Sequence, residues 1–166
     1  MAKWLLLMDL DGTAWDNMDV SRCRIPFKKI DSDTIQDSNG TVIRLKDGLR
    51  EFLQWSRDNS AIVSTLTWND RQHVIDALDA FSIRKYFDYL EISPDARKDI
   101  KLRELMETLK KEKIHIPHSR MYYLDDRDIH IDEIRLIAPE INFLHMGLKV
   151  HNLKEARKII SARLSI

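Results

Sequence analysis

The sequence predicts an α/β fold, a parallel sheet sandwiched by helices, on three observations. Five short apolar runs, often β-branched, occur at Trp4 to Met8, Ile62 to Leu66, Tyr89 to Ile92, Met121 to Leu124 and Ile141 to Leu144. Continuous rather than alternating apolar runs are the mark of strands buried on both faces. Between them lie segments of helical spacing: Leu49, Phe52, Leu53 and Ser56; Val74, Ala77, Leu78 and Phe81; Leu102, Leu105, Met106 and Leu109. Strand and helix therefore alternate, which calls for a parallel sheet with right-handed crossovers. A last helix starts after Asn152, a good N-cap, and runs through Leu153, Ala156 and Ile160.

One stretch interrupts the alternation. Residues 16–47 show no helical period, but Lys28 to Ile35 and Thr41 to Leu45 flank Asp37-Ser38-Asn39-Gly40. Asn-Gly between extended segments signals a hairpin. The expectation is one domain over residues 1–166, with residues 16–47 forming a small β-hairpin lid directly after the first strand. A chain of 166 residues supports one well-packed core and no second ordinary domain.

Composition narrows the function. The 27 basic and 27 acidic residues balance, so bulk charge recruits neither nucleic acid nor an anionic membrane. No apolar stretch approaches the ~20 residues that span a bilayer, and the opening run is too short for a signal-peptide core. A single cysteine, Cys23, allows no internal disulfide, and a cytoplasmic location is expected. The sequence carries no sign of oligomeric state.

In open α/β sheets ligands bind at the carboxyl ends of the strands. The first predicted strand delivers Asp9 and Asp11 there, in Asp9-Leu10-Asp11-Gly12-Thr13; the second ends in Thr65-Leu66-Thr67-Trp68-Asn69; the fourth ends in Asp125 and Asp126. Between them, Ser93-Pro94-Asp95-Ala96-Arg97-Lys98 opens a helix. Side chains two apart on a strand share a face, roughly 6.6 Å apart. Two carboxylates so placed at the end of a buried strand are costly unless compensated, and a divalent cation compensates them.

This set resembles the haloacid dehalogenase (HAD) superfamily of aspartate-nucleophile phosphotransferases. Its first motif, Asp-x-Asp-x-Thr, matches Asp9, Asp11 and Thr13; the hydroxyl of the second matches Thr67, or Thr65 if the strand ends earlier; the lysine of the third looks like Lys98, with Arg97 as a rival; the acidic fourth looks like Asp125-Asp126. The resemblance covers nearly the whole chain and implies a Rossmann-like (HAD-like) sheet. Trp15, the hairpin in place of a large cap and the Leu-Asp-Asp sequence look most like the magnesium-dependent phosphatase-1 family. That likeness implies a Mg²⁺-dependent phosphomonoester hydrolase acting on a phosphotyrosine protein or a phosphosugar.

The chemistry fits the spacing. A phosphomonoester carries about two negative charges near neutral pH, so a carboxylate attacks only if that charge is neutralised. Mg²⁺ takes one or two carboxylates, waters and substrate oxygens, which suits Asp9, Asp126 and the backbone carbonyl of Asp11. Asp9 is the expected nucleophile and Asp11 the general acid/base, its side chain off the metal. Thr67 and the amides near Leu10 and Trp68 are expected to hold phosphoryl oxygens, Lys98 to offset the phosphate and Asp9, and Asp125 to orient Lys98. By resemblance, Asp126 is the stronger ligand candidate of the pair.

Other residues have competing readings. Trp15 either lines the pocket or forms a hydrophobic plug under the hairpin; Trp68 is expected at the same rim, so the two could sandwich a planar substrate group or merely pack. Arg22, Arg24, Lys28 and Lys29 either meet a second anionic group or form a solvated edge. Asp125-Asp126 could instead cap a helix starting near Asp128. The six histidines show no zinc spacing, and Cys23 lacks the Cys-x5-Arg loop of thiol phosphatases. The rival from another class is a catalytically idle phosphate- or phosphoprotein-binding module on the same fold. Both Asp9 and Asp11 being present argues against it, because binding alone needs no acid/base.

Overall fold

The computed structural model describes residues 3–166. Five strands form the main sheet: β1 (Trp4–Met8), β5 (Ala61–Trp68), β6 (Tyr89–Ser93), β7 (Met121–Asp125) and β8 (Asn142–His145). All neighbours are parallel, in the order β6-β5-β1-β7-β8. The chain winds outward from β1 to β6 and then crosses back to β7, so the direction of winding reverses beside β1. That switch opens a crevice at the carboxyl ends of β1 and β7.

Alternation along β1 divides the core into two layers. Trp4, Leu6 and Met8 pack with α1 (Leu49–Asp58), α2 (Arg71–Ala80) and α5 (Leu153–Leu164), while Leu5 and Leu7 face α3 (Lys98–Lys111) and α4 (Ile131–Ile137). All five β1 side chains are buried, as its continuous apolar run requires. The three periodic segments read from the sequence fall within α1, α2 and α3 or end at the residue just after. Asn152 caps α5 by accepting the Glu155 amide at 2.9 Å. His130 stands at the N-cap of α4 without a capping side-chain bond, so Asp125 and Asp126 do not serve as its caps.

The insertion after β1 is an antiparallel sheet of β2 (Lys28–Lys29), β3 (Thr34–Gln36) and β4 (Val42–Arg44). The segment read as one extended run, Lys28 to Ile35, is divided by a turn in which the Asp31 carboxylate accepts the Asp33 amide at 2.9 Å. At the β3–β4 turn Asp37 accepts three amides, from Arg24 at 2.8 Å, Asn39 at 2.9 Å and Thr41 at 2.7 Å, and Gly40 takes the left-handed φ of 93°. Ile35 and Ile43 turn into the β1 core layer. Among the described residues no helix is long and apolar enough to cross a membrane.

Candidate active site

β1 and β7 end in register. Met8 pairs with Leu124, and the Asp9 amide donates to the Leu124 carbonyl at 2.9 Å, so Asp9 and Asp125 leave the sheet side by side. Gly12 then reverses the chain with φ +71°. A Cβ there would lie 2.6 Å from Asp126 Oδ2, so glycine gives both the turn and the room for that carboxylate. Thr13 ties the two loops: its hydroxyl accepts the Asp126 amide at 3.0 Å and reaches toward Asp9 Oδ2 and Asp126 Oδ1 at 3.5 and 3.4 Å. His145 Nε2 lies 3.0 Å from the Asp126 carbonyl.

Asp9, Asp125 and Asp126 can each offer an oxygen within 4.8 Å of the others. Lys98, only 2 % exposed, places Nζ 2.9 Å from Asp9 Oδ1 and 2.7 Å from Asp125 Oδ2, with the Tyr123 hydroxyl at 3.2 Å. Of the two cations weighed at this position, Arg97 turns outward and pairs through two nitrogens with Asp99 at 2.9 and 2.8 Å. One buried ammonium thus pairs with two carboxylates of a cluster of three. This oxygen-only set with surplus negative charge suits a hard divalent cation such as Mg²⁺.

The charges settle unequally. Burial is the largest influence on Asp125 and opposes ionisation. Lys98, the Tyr123 hydroxyl and the Arg127 amide outweigh it, so its pKa is lowered. Asp9 keeps the full cost: burial pushes its carboxyl up to about 7, against the pull of Lys98 and with the push of Asp125. Burial and then Asp125 also raise Asp126. For Lys98, burial favours the neutral amine, but Asp9 and Asp125 together hold the proton and raise its pKa.

Asp11 stands apart from this cluster. Its carboxylate accepts Trp15 Nε1 at 2.8 Å, the Val20 amide at 3.3 Å and a short bond from Asn69 Nδ2. Burial still leaves its pKa raised against those three donors. The donors come from the loop after β1, from the insertion and from the end of β5, so the carboxylate is fixed by three parts of the chain.

The other residues read from the sequence divide. Thr65 gives its hydroxyl to the Glu91 carbonyl of β6 at 3.2 Å, whereas Thr67, buried next to the last residue of β5, spends its hydroxyl on no partner among the described residues. The Leu10 side chain is buried, and its carbonyl closes the turn by accepting the amides of Thr13 and Ala14. Trp15 does not line the pocket and forms no sandwich with Trp68. It is fully buried, stacked on Phe81 at 5.9 Å, because the Gly12 turn folds it back under the insertion. Trp68 is at the rim, 40 % exposed. A cavity of about 410 Å³ opens beside Asp11, bordered by Met18, Asp19, Trp68 and Asn69. The insertion thus meets the cavity through its first residues rather than through its strands.

Sequence reasoning assigned no role to Asn69 or Tyr123. Strand parity holds a signal for Tyr123, two residues before Asp125 and so on the same face. Nothing local marked Asn69 beyond its place at the end of a strand.

Sheet order and the carboxylates at the switch point give the chain the fold of HAD-superfamily hydrolases, with an aspartate cluster consistent with their aspartyl-phosphate chemistry. Solved structures agree on that fold. A structure from Clostridium difficile superposes with a TM-score of 0.69 at 13% identity, covering 96% of this chain and 99% of that one. A HAD-superfamily hydrolase from Ehrlichia chaffeensis gives 0.65 at 15% identity, covering 99% of each. The N-terminal part of a Bacteroides fragilis protein, containing a phosphatase domain complexed with Mg, gives 0.58 at 18% identity over 87% of this chain. The chain spans only 36% of that structure's length. No curated protein matches the sequence. The model of the acid phosphatase family matches residues 3–160, and the chain belongs to that family.

Proposed function

We propose that the protein is a Mg²⁺-dependent phosphomonoester hydrolase that works through a phosphoryl group carried on Asp9, a cytoplasmic enzyme nearest in kind to the magnesium-dependent phosphatase-1 group. The observation that carries this reading is the buried contact of Lys98 Nζ with Asp9 Oδ1 at 2.9 Å, inside a three-carboxylate cluster. An ammonium so placed offsets both the attacking carboxylate and the incoming phosphate.

Asp9 and Asp126, with the backbone carbonyl of Asp11, are the residues that would hold the metal; Asp125, already bound to Lys98 and Tyr123, keeps the lysine in place. Bound Mg²⁺ supplies charge neutralisation at the phosphoryl oxygens. An Asp9 oxygen attacks phosphorus as the ester oxygen leaves, and Asp11 gives that oxygen its proton. Asp11, now ionised, takes a proton from the water that attacks the phosphorylated Asp9, releasing inorganic phosphate and restoring both carboxyls. Thr67 and the amides of Leu10 and Trp68 hold the phosphoryl oxygens. On this reading the cavity beside Asp11, about 410 Å³, is where the sugar of a phosphosugar or the ring of a phosphotyrosine would lie.

Phosphate release from p-nitrophenyl phosphate tests the proposal. Turnover is expected with Mg²⁺, and its loss both in EDTA and in Asp9→Asn. If folded protein with Mg²⁺ releases no phosphate from this ester, a phosphosugar or a phosphotyrosine peptide, the idle binding module is the better account.

A further inference from the structure

The cavity beside Asp11 is where a leaving group would sit, because the acid that protonates the departing oxygen lines it. Its wall is not neutral. Arg127 borders it, with the guanidinium 5.9 Å from the centre of the Trp68 ring. Trp68 is itself fixed, its Nε1 donating to the Pro94 carbonyl at 3.0 Å and its ring meeting His130 edge-on at 6.1 Å. The backbone of Arg127 is anchored too, its amide donating to Asp125 Oδ1 at 2.9 Å.

The acidic residues on the same wall have other partners. Asp19 pairs with Arg22 at 3.2 Å and accepts the Ser21 amide at 3.1 Å, while Asp70 accepts the His73 amide at 3.0 Å with His73 Nδ1 at 2.5 Å. Among the described residues Arg127 makes no ion pair. The hairpin cations named as candidates for a second anion do not border the cavity, and Arg22 is already taken by Asp19.

A guanidinium held over an indole face presents its donor edge to a carboxylate or phosphate group, and that match is worth most where water is partly excluded. Elsewhere the wall carries Asp11, Asp19 and Asp70, which repel an anion, so negative charge on the leaving group has one favourable position. We propose that the natural substrate is a phosphomonoester whose leaving group carries a second anionic group, bound by Arg127 alongside Trp68. This rests on the hydrolase reading above and names the substrate class of that site.

The test compares 4-carboxyphenyl phosphate with 4-carbamoylphenyl phosphate, which match in shape and differ in charge, on the full chain with Mg²⁺ and on Arg127→Gln. The kcat/KM ratio of charged to neutral ester is expected to be about tenfold or more in the natural protein, the size of one charge-assisted hydrogen bond, and to fall to about one in the variant. A ratio near one in the natural protein, or a preference that survives in Arg127→Gln, overturns the proposal. If neither ester is hydrolysed and p-nitrophenyl phosphate, a phosphosugar and a phosphotyrosine peptide are left intact as well, the hydrolase reading fails by itself. Calorimetric affinities for the corresponding phosphonates, which are not turned over, then decide: a tenfold preference lost in Arg127→Gln supports the assignment, and equal affinities overturn it.

Discussion

Gly12 carries two constraints at once, a left-handed backbone and contact with a carboxylate of the cluster. Any side chain there costs about 1–2 kcal/mol in backbone strain. It also crowds Asp126 Oδ2, 2.6 Å from where a Cβ would sit, so that carboxylate must shift, whereas Met18 Cε at 3.0 Å is the end of an exposed, flexible side chain that can give way. Gly12→Ala is expected to melt about 2–8 °C lower and to gain less from added Mg²⁺ than the natural protein, as read by thermal unfolding with and without the ion. An unchanged Mg²⁺ increment would show that Asp126 has room to move without loss. At this scale the carboxylates and Lys98 were readable because their types and order repeat a known pattern. Which threonine hydroxyl is free, and which cation turns inward, depended on side-chain direction. The choice between Lys98 and Arg97 turned on Asp99, which takes the arginine from outside.

At the level of elements, the loop after β1 matters more for Asp11 than the hairpin strands do. Trp15 bridges to Leu45 at the end of the insertion and stacks on Phe81 after α2, so its indole N–H reaches Asp11 from a fixed support. Trp15→Phe keeps the stack and removes the donor. Because that donor lowers the Asp11 pKa, its loss is expected to move the apparent pKa of Asp11 upward in the pH–rate profile, with a loss of roughly tenfold or more in kcat, the size of one hydrogen bond to a charged group. A profile that does not move would mean that Trp15 only packs. The strands and helices were legible because buried parallel strands and amphipathic helices leave different periods. For Trp15 the sequence leaves two places open, the pocket beside Asp11 and a plug under the hairpin, and the turn at Gly12 decides for the second by sending the indole into the core.

For the whole molecule, the sheet gathers like charge at one edge, and this links stability to pH and metal. In the folded protein Asp9 titrates near 7, against an ordinary value of 3.8, so between those values the native state holds a proton that the unfolded chain lacks. Stability from this group is therefore greatest at acid pH and falls as pH rises toward 7. A metal ion needs the ionised carboxylate, so its binding displaces that proton and strengthens over the same interval. Mg²⁺ is expected to raise the melting temperature more at pH 8 than at pH 5.5, with EDTA as the reference at each. An equal or larger increment at pH 5.5 would contradict the place given to Asp9 in the cluster.

A phosphoryl group carried on Asp9 is tested by acid-quench trapping of the phosphorylated protein with labelled substrate, in the natural chain, Asp9→Asn and Asp11→Asn. A hydroxylamine-sensitive label is expected in the natural chain and none in Asp9→Asn. In Asp11→Asn, given an activated ester whose leaving group needs no proton, the label is expected to accumulate, because the group that deprotonates the hydrolytic water is gone. Phosphate release without any trapped label, or label that persists in Asp9→Asn, would contradict a phosphoryl group on Asp9.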